Sequence, residues 1–238
     1  MSLLQLGLAL VVVALGSTVQ RTVGFGAALV SVPLLLLIDA DLVPGPVVVA
    51  NLALIAMMAI GTGGDADWRG VRWMALGLLP GALLGAVALA AVPEEQLAVL
   101  AGGIVLAAVV GFVVYGQVAL RRRALCVGGA LSGFMGTTAG VGGPPIALLY
   151  SAAPPDVVRA TLCRVFLVNW VLVIATLAAT GRLGVDEVRT GLVLMPGGYL
   201  GVLAGRWVSA RVAADRLRAP VLVLSAVTAV VAIVRALT

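Results

Sequence analysis

The sequence contains no histidine and no lysine, and only 11% of its residues are charged. A soluble domain usually carries about 25% charged residues. The 62% hydrophobic content and the mean hydropathy of +1.20 therefore exclude an ordinary soluble protein. Long apolar runs recur along the whole chain, which predicts an all-α, polytopic membrane protein. A membrane β-barrel would show short alternating strands instead.

Residues able to carry out acid–base or metal chemistry are missing from the apolar runs. All ten acidic residues fall in predicted loops. Ion-coupled pumps and symporters usually keep such a residue within the membrane, and an intramembrane enzyme would need a buried base, nucleophile or metal-ligand set. The two cysteines, Cys126 and Cys163, form no CxxC motif. We therefore expect no enzyme activity, no cofactor and no metal; a thiol-redox conduit through the two cysteines is a rival hypothesis.

The net charge of +5 comes from fifteen arginines set against the ten acidic residues. A basic balance can indicate nucleic-acid binding, but these arginines lie mostly between apolar runs. Membrane topology explains their placement, because cytoplasmic loops carry an excess of basic residues. We therefore expect a lipid bilayer and no nucleic acid as a partner, and we place the linker containing Arg121, Arg122 and Arg123 in the cytoplasm.

The chain matches itself when it is shifted by about 116 residues. The matching positions are Gly24 with Gly140, Gly26 with Gly142, Pro80-Gly81 with Pro196-Gly197, Gly85 with Gly201, and, after a two-residue insertion, Asn51 with Asn169 and Gly63 with Gly181. Four blocks in the same order indicate a duplication. This predicts two repeats, residues 1–118 and 124–238, joined by a basic linker at 119–123.

Each predicted repeat divides into about five apolar segments, which gives 8–10 helices in total. The last three segments of each repeat are about 20 residues or more, enough to span about 30 Å. The first two are shorter and meet at glycines, so we expect a short or re-entrant glycine-rich hairpin. Each repeat then crosses the membrane an odd number of times, and the two repeats are inverted, as in many secondary transporters.

This topology also predicts the two membrane faces. Four acidic residues fall outside: Asp39, Asp41, Glu94 and Glu95. The arginines that fall inside with the linker are Arg69, Arg72, Arg159, Arg206, Arg211, Arg216 and Arg218.

Two glycine-rich stretches, TVQRTVGFGAAL (18–29) and SGFMGTTAGVGGPP (132–145), are predicted to break helices within the membrane. A break frees backbone N–H and C=O groups, which lipid cannot satisfy, so it must face protein or a cavity. A helix that restarts after the break has free N–H groups and a positive dipole end, which favour an anion. Close helix packing is the alternative explanation for the glycines. Close packing is the favoured explanation for Pro80-Gly81 and Pro196-Gly197, where we expect two helices to pack closely along a glycine seam.

The predicted substrate-binding residues combine these breaks with nearby polar side chains. Arg21 and Arg164 would supply charge, unless Arg21 is a loop residue and Arg164 extends to the membrane interface. Asparagines can also simply join helices. The predicted set is Arg21, Thr22, Gly24, Gly26, Asn51, Thr137, Thr138, Gly140, Gly142, Gly143, Arg164 and Asn169, with backbone N–H groups of residues 24–26 and 140–143 as donors.

Residues 22–37 (TVGFGAALVSVPLLLL) and 136–150 (GTTAGVGGPPIALLY) resemble the twice-repeated signature of the sulfite exporter TauE/SafE family, also described as toluene sulfonate uptake permeases. The resemblance covers essentially the whole chain. It implies a multi-pass protein of the bacterial cytoplasmic membrane that moves sulfite or an organosulfonate. The family's substrate and direction vary, so uptake of another small anion, such as a carboxylate, sulfate or thiosulfate, stays open, as do a homodimer and a non-transporting assembly subunit.

Overall fold

A computed structural model describes residues 2–60, 65–93, 96–114, 119–150, 153–212 and 214–237. The described residues form an all-α protein with a short 3-10 helix at Ala40–Leu42. The α-helices are α1 Leu3–Val23, α2 Ala27–Ile38, α3 Gly45–Ile60, α4 Trp68–Ala91, α5 Leu97–Val114, α6 Arg122–Ala139, α7 Pro144–Leu149, α8 Pro155–Ala179, α9 Val185–Ser209 and α10 Ala214–Leu237.

Five segments are long and apolar enough to cross a membrane: Leu3–Val23, Ala40–Ala59, Trp68–Ala91, Val157–Ala179 and Ala219–Leu237. Large apolar side chains also point outward from the bundle, for example Leu83 and Val87 on α4. In water such exposure would be costly, but lipid tails accommodate it. The prediction of a polytopic, all-α membrane protein is confirmed.

The first helix is longer than the sequence suggested. α1 has 21 residues, beginning at a capping box between Ser2 and Gln5 and ending at Gly24. The sequence left open whether Arg21 is a loop residue, and in the structure Arg21 lies in the last turn of α1. α6 begins at Arg122, within the predicted linker.

Two pairs of helices pack through glycine seams. On α4, a Cβ at Gly77 or Gly81 would overlap the α6 backbone at Cys126 or Ala130. On α9, Gly197 meets the backbone of α1 in the same way, with Leu10 O 2.5 Å from a Cβ built there. Because only glycine lets the backbones approach this closely, the predicted seams are confirmed.

Two of the helices fold back on their neighbours. Ser31 Oγ on α2 donates to Val12 O on α1 over 3.4 Å, and Gln5 Nε2 at the start of α1 reaches Ile38 O at the end of α2, also over 3.4 Å. Likewise, the side chain of Leu149 at the end of α7 covers Gly128 near the start of α6. α2 and α7 therefore run back along α1 and α6.

The bundle has an acidic end and an arginine-rich end. A cavity of about 550 Å³ opens where α3 and α9 begin, and Asp39, Asp41, Asp186 and Glu187 are among its lining residues. At the other end of α9, Arg206 lies in the last turn. The 25 residues of α9 separate the two ends by about 37 Å. Glu94 and Glu95, also predicted on the acidic side, lie outside the described residues.

Candidate functional site

The first helix break joins α1 to α2 through two glycines with left-handed backbone. Gly24 has φ 93° and Gly26 has φ 107°, a region that side chains disfavour. Gly24 N donates to Gln20 O over 2.8 Å, which ends α1. Ala27 N, the first donor of α2, is capped by Gln20 Oε1 at 3.1 Å. Gln20 therefore contributes to the end of α1 through its backbone carbonyl and to the start of α2 through its side chain.

The second break joins α6 to α7 and is built differently. Gly140 ends α6 with φ 69° and donates its N–H to Gly136 O over 2.9 Å. Ser132 donates its hydroxyl to Gly142 O across the break. A Cβ at Gly142 would overlap the side-chain amide of Asn169 on α8. α7 then begins at Pro144, as the Pro-Pro pair predicts.

A small pocket lies between the two breaks. Its volume of about 10 Å³ corresponds to about one water molecule. Five of its ten lining residues come from each predicted repeat, and none of the ten is charged. These residues are Gln20, Gly26, Ala28, Leu29, Asn51, Val141, Gly143, Pro144, Phe166 and Trp170.

Several buried polar atoms at and beside the pocket have no hydrogen-bond partner among the described residues. Asn51 Nδ2 is one, in a side chain that is 7% exposed and lines the pocket. Both amide atoms of Asn169 are unpartnered, and its side chain is 0% exposed. A buried, unpaired polar group costs about 1–3 kcal/mol. Amides kept at this cost beside a pocket are available to a ligand or to water.

Backbone donors at the pocket come mainly from α2. Helical geometry leaves the first N–H groups of a helix without a partner inside the helix, and Ala28 and Leu29 in the first turn of α2 both line the pocket. In α7 the first two residues, Pro144 and Pro145, have no N–H to offer. The two breaks therefore contribute unequal numbers of backbone donors.

The prediction that all the glycine N–H groups of the breaks face a ligand is wrong in part. Gly24 and Gly140 use their N–H groups to end α1 and α6. Gly26 and Gly143, by contrast, line the pocket. The physical reason is that a helix ending on a left-handed glycine uses the N–H of that glycine to satisfy one of its own last carbonyls.

Neither predicted arginine lines the pocket. Arg164 donates Nη1 to Ala160 O over 2.8 Å, one turn back along α8, and stacks on the Trp68 ring at 5.2 Å. This is the geometry of a side chain that extends toward the membrane interface. Arg21 packs against Gly205 of α9 instead. Neither arginine is therefore part of the pocket lining, and their assignment as substrate-binding residues stays a prediction.

The three predicted threonines differ in their surroundings. Thr22 Oγ1 donates to Thr18 O over 2.8 Å, and Thr138 Oγ1 donates to Phe134 O over 2.8 Å, so both hydroxyls are used within their own helices. Thr137 is 0% exposed with an unpartnered hydroxyl, but its Cβ lies against Gly85 of α4. Thr137 thus faces a helix seam, and none of the three lines the pocket.

Seven of the ten lining residues were missing from the predicted set, and three of these seven have polar or aromatic side chains. Gln20 is conspicuous as a buried polar residue one position before Arg21. Phe166 and Trp170 are buried and lie on either side of Asn169 in sequence. Positions three and four apart share one face of a helix, so the spacing of 166, 169 and 170 could have indicated that the three residues lie together.

The end of the short helix α7 is anchored outside the candidate membrane spans. Tyr150 donates its hydroxyl to Asp67 Oδ2 over 2.7 Å, and Asp67 also caps α4 by accepting from Gly70 N over 2.9 Å. Burial, followed by the Asp67 carboxylate, raises the pKa of Tyr150 above its ordinary value of 10.0. Asp67 therefore ties α7 to the start of α4.

Comparison with known proteins identifies the chain by family. A family model described as "Sulfite exporter TauE/SafE" matches residues 8–232, nearly the whole sequence. No curated protein and no solved structure matches the chain. The family is one of transporters and implies the membrane transport of sulfur anions. Together with the apolar helices and the pocket between two helix breaks, this match shows that the chain belongs to the sulfite exporter TauE/SafE family.

Proposed function

We propose that this protein exports a small sulfur anion, sulfite or an organosulfonate, across the bacterial cytoplasmic membrane. The observation that carries the proposal is the uncharged pocket between the two helix breaks, with unpartnered amide atoms beside it. Asn51 Nδ2 and the N–H groups of Ala28 and Leu29 in the first turn of α2 are donors, and an anion with several oxygens needs donors. Membership of a transporter family supports the same function.

The substrate would bind between two inverted repeats, and the helix packing supports that arrangement. α1 packs along α9, and α6 packs along α4. Under the match between the repeats, α6 corresponds to α1 and α4 to α9, so each first helix packs on the fourth helix of the other repeat. The hairpins also start at opposite ends. Gln5 and Ile38 lie near the acidic cavity, whereas Arg122 stacks on Trp73 near the start of α4.

The pocket would bind its anion through dipoles rather than through a fixed cation. A site without a charged partner binds more weakly than one with a buried arginine, and conduction requires binding weak enough for release. The present volume of about 10 Å³ is too small for a sulfonate. Binding therefore requires the repeats to move apart at the breaks, which is what alternating access does when one half rocks against the other.

The charge distribution supports export. Arginines at one end of the bundle would attract anions from the cytoplasm, while the acidic cavity at the other end would discourage their return. An inside-negative membrane potential favours anion exit by about 2.3 kcal/mol per charge per 100 mV. Export along this gradient needs no coupled proton, so the lack of a charged residue at the pocket is no obstacle.

The test is voltage-driven anion flux in vesicles that contain the purified protein. Sulfite and sulfoacetate should move faster than in empty vesicles, and the rate should follow the membrane potential. Sulfate, thiosulfate and simple carboxylates serve as competitors, and preferential flux of one of them would reassign the substrate. Flux only against the electrical gradient would indicate uptake, and no flux for any anion would contradict a transport function.

A control variant ties the flux to the pocket. Asn51→Leu removes the unpartnered donor that lines it, whereas Arg211→Gln changes an exposed arginine stacked on Trp207 at 3.8 Å. The first change should lower the flux and the second should not.

A further inference from the structure

Three arginines from three helices lie near the end of α1, the helix that also carries the pocket residue Gln20. Arg21 directly follows the pocket residue Gln20. Its side-chain stem packs on α9, where a Cβ built at Gly205 would lie 2.6 Å from Arg21 Cβ. The neighbouring Gly24 faces Leu162 of α8, with 4.0 Å from a Cβ built there to Leu162 Cδ1. The end of α1 therefore lies between the last turn of α9 and the second turn of α8.

These contacts bring Arg159 of α8 and Arg206 of α9 close to Arg21, and both charges act on it. Among the side chains that the structure describes, which do not include those of Asp156 and Asp215, no carboxylate acts on Arg21. Arg21 and Arg159 are half-buried, which reduces the screening of their repulsion by water. We call Arg21, Arg159 and Arg206 the arginine cluster.

Helix dipoles account for only part of this cluster. Arg21 and Arg206 lie in the last turns of α1 and α9, where a cation is favourable. Arg159 lies near the start of α8, where the positive dipole end disfavours a cation. The dipole of α8 therefore gives Arg159 no stabilisation, and Arg159 also repels Arg21. An anion held among the three guanidinium groups would reduce this repulsion.

We propose that the arginine cluster is an anion-capture site that loads the pocket. It would take a small oxyanion, because a guanidinium fork can engage two oxygens at once. Arg21 follows Gln20 on α1, so the cluster lies at the same end of α1 as the pocket residue Gln20. This site rests on the proposed function, and it adds Arg159 and Arg206 to the path of the substrate. Three guanidinium groups would also suit the phosphate of a lipid headgroup. The experiment therefore distinguishes a free anion from a lipid phosphate.

The experiment measures flux from each side of oriented vesicles made of neutral lipid, with sulfite and sulfoacetate as probes. For Arg159→Gln and Arg206→Gln, the half-saturating anion concentration on the arginine-rich side should rise roughly ten-fold. The maximal flux from the arginine-rich side should not change. Arg159→Lys should restore most of the lost affinity because lysine keeps the charge. Arg211→Gln is the matched control, because Arg211 is an exposed arginine just beyond the end of α9.

Binding provides a readout that does not depend on flux. Sulfite should raise the melting temperature of the wild type, and this shift should shrink in Arg159→Gln but not in Arg211→Gln. Equal half-saturation in the wild type and the cluster variants would overturn the capture site while leaving transport intact. A wild type without any flux would instead reject the proposed function, and the binding arm would still decide on the site.

Vesicles with and without phosphatidylglycerol separate a free anion from a lipid headgroup. If the cluster serves the free anion, the variants differ from the wild type in purely neutral lipid. If they differ only when phosphatidylglycerol is present, and only in melting temperature, the cluster binds lipid phosphate and the capture site is rejected.

Discussion

The first helix break, at residues 24–26, is held by a side-chain cap, whereas the second, at residues 140–143, is filled by a side chain from another helix. In the first, Gln20 caps α2 and leaves the N–H groups of its first turn at the pocket. In the second, Asn169 occupies the space beside Gly142, and prolines remove the first donors of α7. Two stretches that align in sequence thus supply different groups, backbone donors in one case and a side-chain amide in the other.

This difference suggests a division of labour. The first break has a rigid, capped helix start that can bind oxygens without moving. In the second, α7 has only 6 residues, so its position depends on Asn169 at one end and Tyr150 at the other. The second break is therefore the more readily displaced when the pocket opens.

The largest effect should come from filling the second break. Gly142→Ala places a methyl group on the Asn169 amide, which forces a shift that costs about 1–3 kcal/mol. Because the shift moves the pocket wall, we expect anion flux to fall by roughly a hundred-fold. Flux in vesicles and the melting temperature would measure both effects.

Gly24→Ala is the comparison for that variant. The nearest atom to its Cβ is 4.0 Å away, but φ is +93°, so its cost is backbone strain of about 1–2 kcal/mol. If the two variants lowered flux equally, the proposed division between the breaks would be wrong.

The next effect concerns the two asparagines. Asn169→Leu replaces an amide with two unpartnered atoms by an apolar group of similar size, so the protein should keep or gain stability while flux falls roughly ten-fold or more. Asn51→Leu should act in the same direction but less strongly, because only its Nδ2 is unpartnered. Thermal melting alongside anion flux tests this. A large loss of stability would show that the amides hold helices together instead.

A smaller effect should follow from a charge at the first break. Gln20→Glu keeps an oxygen to accept from Ala27 N, so α2 should stay capped, but a negative charge at the pocket repels the anion. We expect a several-fold weaker apparent affinity for sulfite with little change in stability. Gln20→Leu is the control, since it loses the cap at a cost of about 1 kcal/mol. Unchanged affinity in Gln20→Glu would mean that anions do not reach Gln20.

Tyr150→Phe should affect stability more than transport. It removes a hydrogen bond to a carboxylate, worth about 1.5–3 kcal/mol. Because the pKa of Tyr150 is raised in the folded protein, its contribution is complete below pH 10.0 and declines as the pH rises above that value. Melting curves of wild type and variant at about pH 8 and above pH 10 should therefore converge at the higher pH. Curves that stay parallel would exclude this role for the phenol.

The smallest effect should come from Arg164. Its guanidinium contacts Ala160 O and Trp68 rather than either break, so Arg164→Gln should change anion flux less than about two-fold. If Arg164→Gln lowered flux as much as Asn169→Leu, Arg164 would have to contact the substrate.

Several features followed from local sequence. The apolar runs indicated membrane helices because hydropathy and helix length are properties of each segment alone. The glycines at 24, 26 and 140 indicated breaks, and those at 81 and 197 indicated seams, because a backbone without a Cβ permits conformations and approaches that other residues forbid. The inverted repeats and the membrane orientation are still predictions from the sequence pattern.

Only the tertiary structure decided which polar groups meet. It brought Asn51 and Gln20 to one pocket with Phe166 and Trp170, and it directed Arg21 toward α9 and Arg164 toward Trp68. The direction of a long side chain depends on the helices packed around it, and those neighbours lie far away in sequence. The sequence by itself therefore determined where the helices break, whereas helix packing determined what faces each break.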